Sequence, residues 1–444
     1  MSEALPDHWG TTSIEKSAYL RGRIGWQGLR ADEFIEDGPY LVTGTDFKDG
    51  KIDWSTCYHV TEARYREAAP IQLRDDDLLV TKDGTIGKVA HVSDCPNQAV
   101  LNSGVFLLRC SDGSFRQRWL YHLLTSSHFE KFLRQNLAGS TINHLYQYVF
   151  EKYEFPVPQS DEEQKKLCKI IDLIDTQIEA TEALIAKQER LRAGLMQDLF
   201  TRGVDENGEL RPPRDVAPHL FHETELGWLP KGWKVNRITR CQASASDSVI
   251  GPFGSNLVAA DYRVSGSPVI FVRDLKPNKF IWKSDVFLDD GKAVELNAHK
   301  SQAGDVLATK MGFPPCVAAV HPKDFPPAII TADMIRLRVS NHSLAIPSFV
   351  AALLNGEIVQ AQVRGITGGV TRPKVTLADF RSLRIPFPSI EEQARLMAMI
   401  GEAGRLIDEE AGRLDKLRLQ KTGLMQDLLT GTVSVQPLLE KASA

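Results

Sequence analysis

The chain has 444 residues, 42% of them hydrophobic and 25% charged, with a net charge of −4. That composition supports two or more ordinary folded cores and excludes wholesale disorder. No uncharged apolar run of about 18 residues occurs, and the opening "MSEALPDHWG" carries neither a basic nor an apolar leader region, so a soluble cytoplasmic protein is expected.

The six cysteines (Cys57, Cys95, Cys110, Cys168, Cys241, Cys316) form no C-x-x-C pair, which reads as reduced structural thiols. Charge is uneven. Leu5 to Pro158 holds 17 Lys/Arg against 20 Asp/Glu, whereas Trp228 to Pro386 holds 20 against 12, an excess suited to a phosphate-rich partner.

In chain order, the first elements are short β-like runs separated by Gly, Pro, Asn and Asp: "YLVTG", "LLVTK", "GKVAHV" and "GVFLLRC". A helical patch follows, "RQRWLYHLLTSSHFEKFLRQN". "FPVPQSDEEQ" then stops any helix with P-x-P and offers an N-cap and first-turn acids. No proline recurs until Pro212, so a helix of about 40 residues is expected, a rod of roughly 60 Å. Leu167, Ile171, Ile174, Ile178, Ile185, Leu195 and Leu199 form a narrow stripe at alternating spacings of three and four, interrupted by Thr181, Gln188 and Arg192. "RGVDENGELRPPRDVAPHLFHETELG" reads as a linker.

A second set then repeats the first. "PVIFVRDL", "DVLATK" and "AIITADMIRLRV" are β-like, "IPSFVAALLNGEIVQAQVR" is helical, and "IPFPSIEEQ" opens a second long helix with the stripe Leu396, Ile400, Ala403, Ile407, Leu414, Leu417, Leu424 and Leu428. The copying is literal in places. "GLMQDL" at Gly194 returns at Gly423, an offset of 229 that also pairs Glu162-Glu163-Gln164 with Glu391-Glu392-Gln393. "DDLLVTKDGTIGKVAHV" echoes "GDVLATKMGFPPCVAAV", and "LPDHW" echoes "LPKGW".

The expected organisation is therefore α+β: two globular α/β bodies joined by two long antiparallel coiled-coil helices in a pseudo-two-fold repeat. The expected bounds are 1–158 and 228–388 for the bodies, 159–201 and 389–430 for the helices, 202–227 for the linker and 431–444 for the tail. The alternative arrangement has each stripe packing on its own body. Gly401, Gly404 and Gly412 weaken the second helix, and a close helix approach would account for them.

Catalytic chemistry is mostly missing. "GTIGK" (Gly84 to Lys88) lacks the spacer and the Ser/Thr of a phosphate loop and reads as a turn. "DFK" (Asp46 to Lys48) and "DLK" (Asp274 to Lys276) resemble the end of a metal-dependent nuclease motif, but no upstream acid recurs in both halves, so they too read as turns. "FPPC" (Phe313 to Cys316) lacks the leading Asn or Asp of an adenine methyltransferase loop. The histidines form no ligand-like set. A non-enzyme with two unlike reading heads at a fixed separation remains, which suits an asymmetric, bipartite DNA target.

At this point the sequence resembles a known family. "GSTINHL" (Gly139 to Leu145), the twice-written proline–EEQ–long-helix–"GLMQDL" pattern, "GRIGWQGL" (Gly22 to Leu29) and "VTKDGTIGKVA" are similar to the specificity subunits of type I restriction-modification systems. The second copy departs from the first in having "GGVTRPKV" where the first has "GSTINHL". The resemblance implies a non-catalytic, sequence-specific DNA-binding subunit with two target recognition domains. Its partners would be double-stranded DNA, two modification (adenine-N6 methyltransferase) subunits on the helices, and ATP-dependent restriction subunits. No cofactor or metal is expected in this chain; S-adenosylmethionine, ATP and Mg would sit on the partners.

Candidate DNA contacts are Arg21, Arg23, Lys82, Lys88, Thr141, Asn143 and His144 in the first body. In the second they are Arg273, Lys276, Lys279, Lys310, Arg372 and Lys374. Arg and Lys suit phosphate or guanine, and Asn suits adenine. Two other readings stand beside this one: a coiled-coil scaffold with two ligand-binding lobes, and the recognition part of a stand-alone restriction or methylation enzyme.

Overall fold

The structure is a computed structural model that describes residues 5–23, 29–30, 33–137, 144–367 and 373–443. The chain divides into two compact units, residues 1–183 with 411–444, and residues 184–410. The long helices Asp161–Arg202 and Ile390–Leu429 each give one end to each unit.

The first unit is built on a four-stranded antiparallel sheet in the order Ala18–Gly22, Val105–Cys110, Leu78–Thr81, Val89–His91. Its inner strands read as continuous apolar runs because both faces are covered. Leu78, Val80, Phe106 and Leu108 pack with Trp119 and Phe129 of the helices Gln117–Leu124 and Ser127–Leu137. The alternate residues Leu79, Val105 and Leu107 pack with Leu41, Val42 and Val100 of a second, mixed sheet. A strand pair, Trp9–Ser13 with Glu154–Pro158, closes the body and delivers the chain to the first long helix.

The second unit repeats this plan. Ser248–Ile250, Met334–Leu337, Val306–Thr309 and Ala318–Val320 form an antiparallel sheet in the same order. Its faces divide in the same way: Val306, Ala308, Ile335 and Leu337 lie with Phe349 and Leu353, and Leu307 and Met334 with Ile270 and Ile330. Lys234–Arg237 pairs with Arg384–Phe387 to close the body. Each continuous helical patch of the sequence is broken in two, the second at Gly356, where an added Cβ would meet the Phe200 ring at 3.2 Å.

The EEQ signature is a buried lock. In the first unit the Trp9 indole donates to Glu163 Oε1 at 3.2 Å, and Gln164 accepts from the Arg116 amide at 2.8 Å while donating to the carbonyls of Ser114 and Pro158. In the second, Trp233 donates to Glu392 Oε2 at 3.0 Å, and Gln393 accepts from Ile346 N while donating to Leu344 and Pro388. The acid and the amide thus clamp the first turn of each long helix to its body, which explains why the Glu-Gln pair of the signature recurs.

The repeated "GLMQDL" ends lie in the opposite unit from the helix starts they follow in sequence. Met425, Leu428 and Leu429 join Leu167, Ile171 and Trp9 in the core of the first unit; Leu199 and Phe200 join Leu396 and Ile400 in that of the second. In the first unit the pairs Lys421–Asp175 (2.6 Å) and Arg418–Glu182 (2.7 Å) show the two helix segments running antiparallel. Of the remaining stripe residues, Ile174, Ile407, Leu414 and Leu417 are buried, whereas Ile178, Ile185, Leu195, Ala403 and Leu424 are half-buried. Leu167 shares a core cluster with its own body and with Met425 and Leu428, and Leu396 shares one with its own body and with Leu199 and Phe200.

The stretch read as a linker is packed rather than free. Gly203, at φ +63°, ends the first long helix; Val204 and Phe221 are buried; and Phe221–Thr224 pairs with Gly227–Pro230 as a hairpin. Its Pro and Gly mark turns. No helix among the described residues is long and apolar enough to cross a membrane.

Candidate nucleic-acid interface

Each body presents a loop held by the same hydrogen bonds. In the first, Thr81 N donates to Lys88 O at 3.0 Å, Gly87 N to Thr81 O at 2.9 Å, and Lys88 N to Thr81 Oγ1 at 2.9 Å. In the second, Thr309 N donates to Val317 O at 2.9 Å, Cys316 N to Thr309 O at 2.7 Å, and Val317 N to Thr309 Oγ1 at 3.1 Å. The lysine after each threonine is tied on both sides. Lys82 N donates to Gly104 O and Lys82 O accepts from Leu145 N; Lys310 N donates to Asp333 O and Lys310 O accepts from Val375 N. Isolated bridges Asp83–His144 and Met311–Lys374 complete the correspondence. One frame therefore carries two unlike tips, "DGTIG" and "MGFPPC".

The frame gathers several of the expected contacts. Lys82 Nζ lies 5.0 Å from the centre of the Phe106 ring, and Lys310 Nζ lies 4.5 Å from that of Phe253. His144 Nδ1 pairs with Asp83 Oδ1, and its ring meets Tyr146 edge-on at 4.7 Å. Lys88 and Lys374 are exposed on the same frames. Arg21 is exposed on its strand and lies over the Tyr19 ring. Arg273 is exposed, stacks on Phe271 and donates to Ser284 Oγ at 2.9 Å. Thr141, Asn143 and Arg372 lie outside the described residues.

Three of the expected contacts lie off the loop frame. Arg23 is only 5% exposed and donates to the carbonyl of Leu101, at the end of a strand of the second sheet, at 2.9 Å; burial, with Arg64 nearby, holds its pKa below the usual arginine value. Lys279 pairs with Asp408 of the second long helix at 2.7 Å, and Lys51, its counterpart in the repeat, pairs with Glu179 of the first at 3.0 Å. The hairpin that carries Lys276 and Lys279 is tied to the second long helix through Lys279 rather than to the loop frame. The D-x-K aspartates behave as turn formers. Asp46 accepts from Thr43 N and Thr56 Oγ1, and Asp274 from Phe271 N, Lys283 N and Ser284 Oγ, both buried.

Sequence reasoning missed the aromatic component. Tyr146 and Tyr148 are exposed beside His144, Phe253 is exposed beside Lys310, and Phe313 is exposed on the tip that follows Lys310. Their signal was present as aromatic residues in Gly- and Pro-rich loops next to basic ones.

The one group of metal-ligating side chains found among the described residues, His122, Asp172 and Asp175, is already neutralised. Arg118 and His122 donate to Asp172 at 2.7 and 3.0 Å, and Lys421 pairs with Asp175. Burial pushes the Asp172 carboxyl up, but the bonds from His122 and Arg118 outweigh it and hold it below its ordinary value; burial holds the His122 imidazole below its own. The network fastens the helix Gln117–Leu124 to both long-helix segments of the first unit. Burial also pushes the Cys168, Cys241 and Cys316 thiols up to about 12, so they are inert.

The described residues thus show a duplicated α+β body in which each copy carries the same exposed, lysine-bearing loop frame. The type I restriction modification DNA specificity domain matches residues 28–190 and 292–419, and the chain belongs to that family. It is 22% identical over 98% of its length to the type I restriction enzyme MjaVIII specificity subunit of Methanocaldococcus jannaschii, covering 95% of that protein. It is 20% identical over 99% of its length to the EcoKI specificity subunit of Escherichia coli K12, covering 96% of it. In fold it matches a chain solved in a study of complex assembly and conformational transition of the type I R-M system. That match has a TM-score of 0.60 at 15% identity, covering 97% of this chain and all of the other.

Proposed function

We propose that this chain is the specificity subunit of a type I restriction-modification complex in which each body reads one half of an asymmetric, bipartite duplex DNA target. The observation that carries this reading is the single loop frame repeated with two unlike tips: a shared scaffold that aims at the same polymer, with different side chains for different base edges. Among the described residues Lys82, Lys88, His144, Lys310 and Lys374 are the contacts the frame supports best, with Arg21 and Arg273 flanking them. Thr141, Asn143 and Arg372 complete the set from the adjoining segments.

The two long helices act as an antiparallel coiled coil that fixes the unread spacer. The repeat gives two near-equivalent docking faces for two modification subunits, through which restriction subunits join. S-adenosylmethionine, ATP and Mg belong to those partners, and this chain supplies no catalytic group. Action on genomic DNA assigns it to the cytoplasm.

The test is reconstitution. The chain with its modification subunit should methylate adenine in genomic DNA and bind duplex DNA with an affinity that falls steeply with salt, as phosphate contacts require. A reconstituted, folded mixture that neither methylates nor binds would refute the reading.

A further inference from the structure

Three separate segments of the second unit converge on Lys310. The loop after Ser248–Ile250 brings Phe253, whose ring centre lies 4.5 Å from Lys310 Nζ. Lys310 is itself the first residue of the loop that carries Phe313. The segment holding Lys374 is bonded to Lys310 and Met311 through Val375 N and the bridge at Lys374. Phe253, beside Lys310, is 55% exposed, and Phe313, three residues beyond Lys310 along the tip, is 78% exposed. Water-facing rings cost free energy unless something covers them, and the surrounding charge selects an anionic partner.

The position is built rather than accidental. Gly312, at φ +151°, turns the chain into the tip, and Cys316 and Pro315 are buried behind it, anchoring the exposed ring on a fixed base. The neighbouring loop is equally constrained: an added Cβ at Gly251 would lie 2.1 Å from Thr331 O, so that loop sits tight against the sheet. In the first body the same frame ends in "DGTIG", with Ile86 half-buried and no aromatic ring at the tip. The Phe313 ring thus occurs on the tip, where the duplicated frames differ, which is where two unlike half-sites would have to be told apart.

We propose that Phe313 is a specificity-determining contact of the second unit. In this assignment its ring makes the apolar contact that a thymine methyl offers at a base edge, while Lys310 and Lys374 hold the flanking phosphates and Phe253 backs Lys310. Apolar side chains read that methyl, and a lost contact of this kind relaxes one position without altering the others. The inference rests on the DNA-reading function above and goes further by naming the ring and the feature it reads.

The experiment uses the full chain with its modification subunit in cells, mapping N6-methyladenine by modified-base sequencing for the wild type, Phe313→Ala, Phe313→Leu and Val264→Ser. Val264 is 94% exposed but lies away from the frame, next to the Arg263–Asp289 pair. The expected result is that Phe313→Ala loses discrimination by on the order of tenfold at one or two positions of a single half-site. Thymine should be the base preferred there by the wild type, Phe313→Leu should retain part of the preference, and Val264→Ser should leave the motif unchanged.

A Phe313→Ala motif as strict as the wild type overturns the proposal, as does relaxation at a position where no thymine is preferred. Should Phe313→Ala abolish methylation, Phe313→Leu decides: a wild-type motif with no change of preference overturns the proposal, and partial relaxation at one position supports it. Absence of any motif that depends on the wild-type chain would instead sink the DNA-reading function itself, a different failure.

Discussion

Glu163 and Glu392 occupy the same place in the repeat, yet the structure gives them unequal work, and a single substitution tests the difference. Glu392 accepts three bonds: from Val204 N at 3.0 Å and Arg211 Nη1 at 2.5 Å on Oε1, and from the Trp233 indole at 3.0 Å on Oε2. Glu163 accepts on Oε1 only, from Trp9 and His8 at 3.2 Å each, and its buried Oε2 has no partner among the described residues. Replacing an oxygen by an amide turns an acceptor into a donor. In Glu392→Gln that donor faces either the Trp233 N–H or the Val204 and Arg211 donors, leaving a buried clash of like groups that costs about 2–4 kcal/mol. In Glu163→Gln the amide takes the unbonded side, and the change should stay within about 1 kcal/mol.

Hydrogen exchange read by mass spectrometry resolves the two sites, on peptides spanning residues 5–14 and 159–168 for one and 203–212 and 388–398 for the other. The expected outcome is faster exchange around Glu392 in its variant and near-native exchange around Glu163 in the other. Equal effects, or a larger one at Glu163, would refute the account of the lock.

Three further outcomes follow from the geometry. Lys310→Ala should lower the salt dependence of DNA binding by the reconstituted complex by about one unit of slope, whereas Lys279→Ala, whose charge is engaged by Asp408, should change it little; equal slopes would remove Lys310 from the phosphate contacts. Burial holds His122, His128 and His321 below the ordinary imidazole value, so the unfolded chain binds more protons than the folded one below about pH 6.5, and stability should fall as pH drops from there. Thermal melts across pH 5–7.5 check this, and His122→Gln, which keeps a donor to Asp172, should flatten part of the acid decline. Leu428→Ala, truncating a side chain 3% exposed in the first unit's core, should cost about 2–4 kcal/mol and expose residues 411–430 to limited proteolysis before the second body is cut.

Much of this architecture was legible because it is written twice. Two copies of P-x-P followed by EEQ made the helix starts unmistakable, and the recurrence of "LLVTK" as "VLATK" fixed equivalent strands. What the letters could not give was the partner of each buried polar group. Glu163 and Gln164 read as ordinary first-turn residues, because Trp9 and Arg116 lie far from them in sequence and only the folded chain brings them together. The linker misled for a related reason: Pro and Gly signal turns equally well in a tether and in a packed hairpin, and only the burial of Val204 and Phe221 separates the two.

Basic residues were the weakest guide. Arg23, Lys279 and Lys310 look alike in sequence, yet one is buried under a strand, one braces a helix and one stands on the loop frame. The exposed Phe253 ring beside the last marks it out, since a cation over an aromatic face is a contact that the basic residue alone does not reveal.

The central claim is that two unlike reading heads on one chain specify one split target. Modified-base sequencing of DNA from cells carrying the modification subunit, with and without this chain, tests it most directly. The account predicts an N6-methyladenine motif of two different halves and a fixed unread spacer, present only with the chain. A continuous or symmetric motif, or one that persists without the chain, would contradict it.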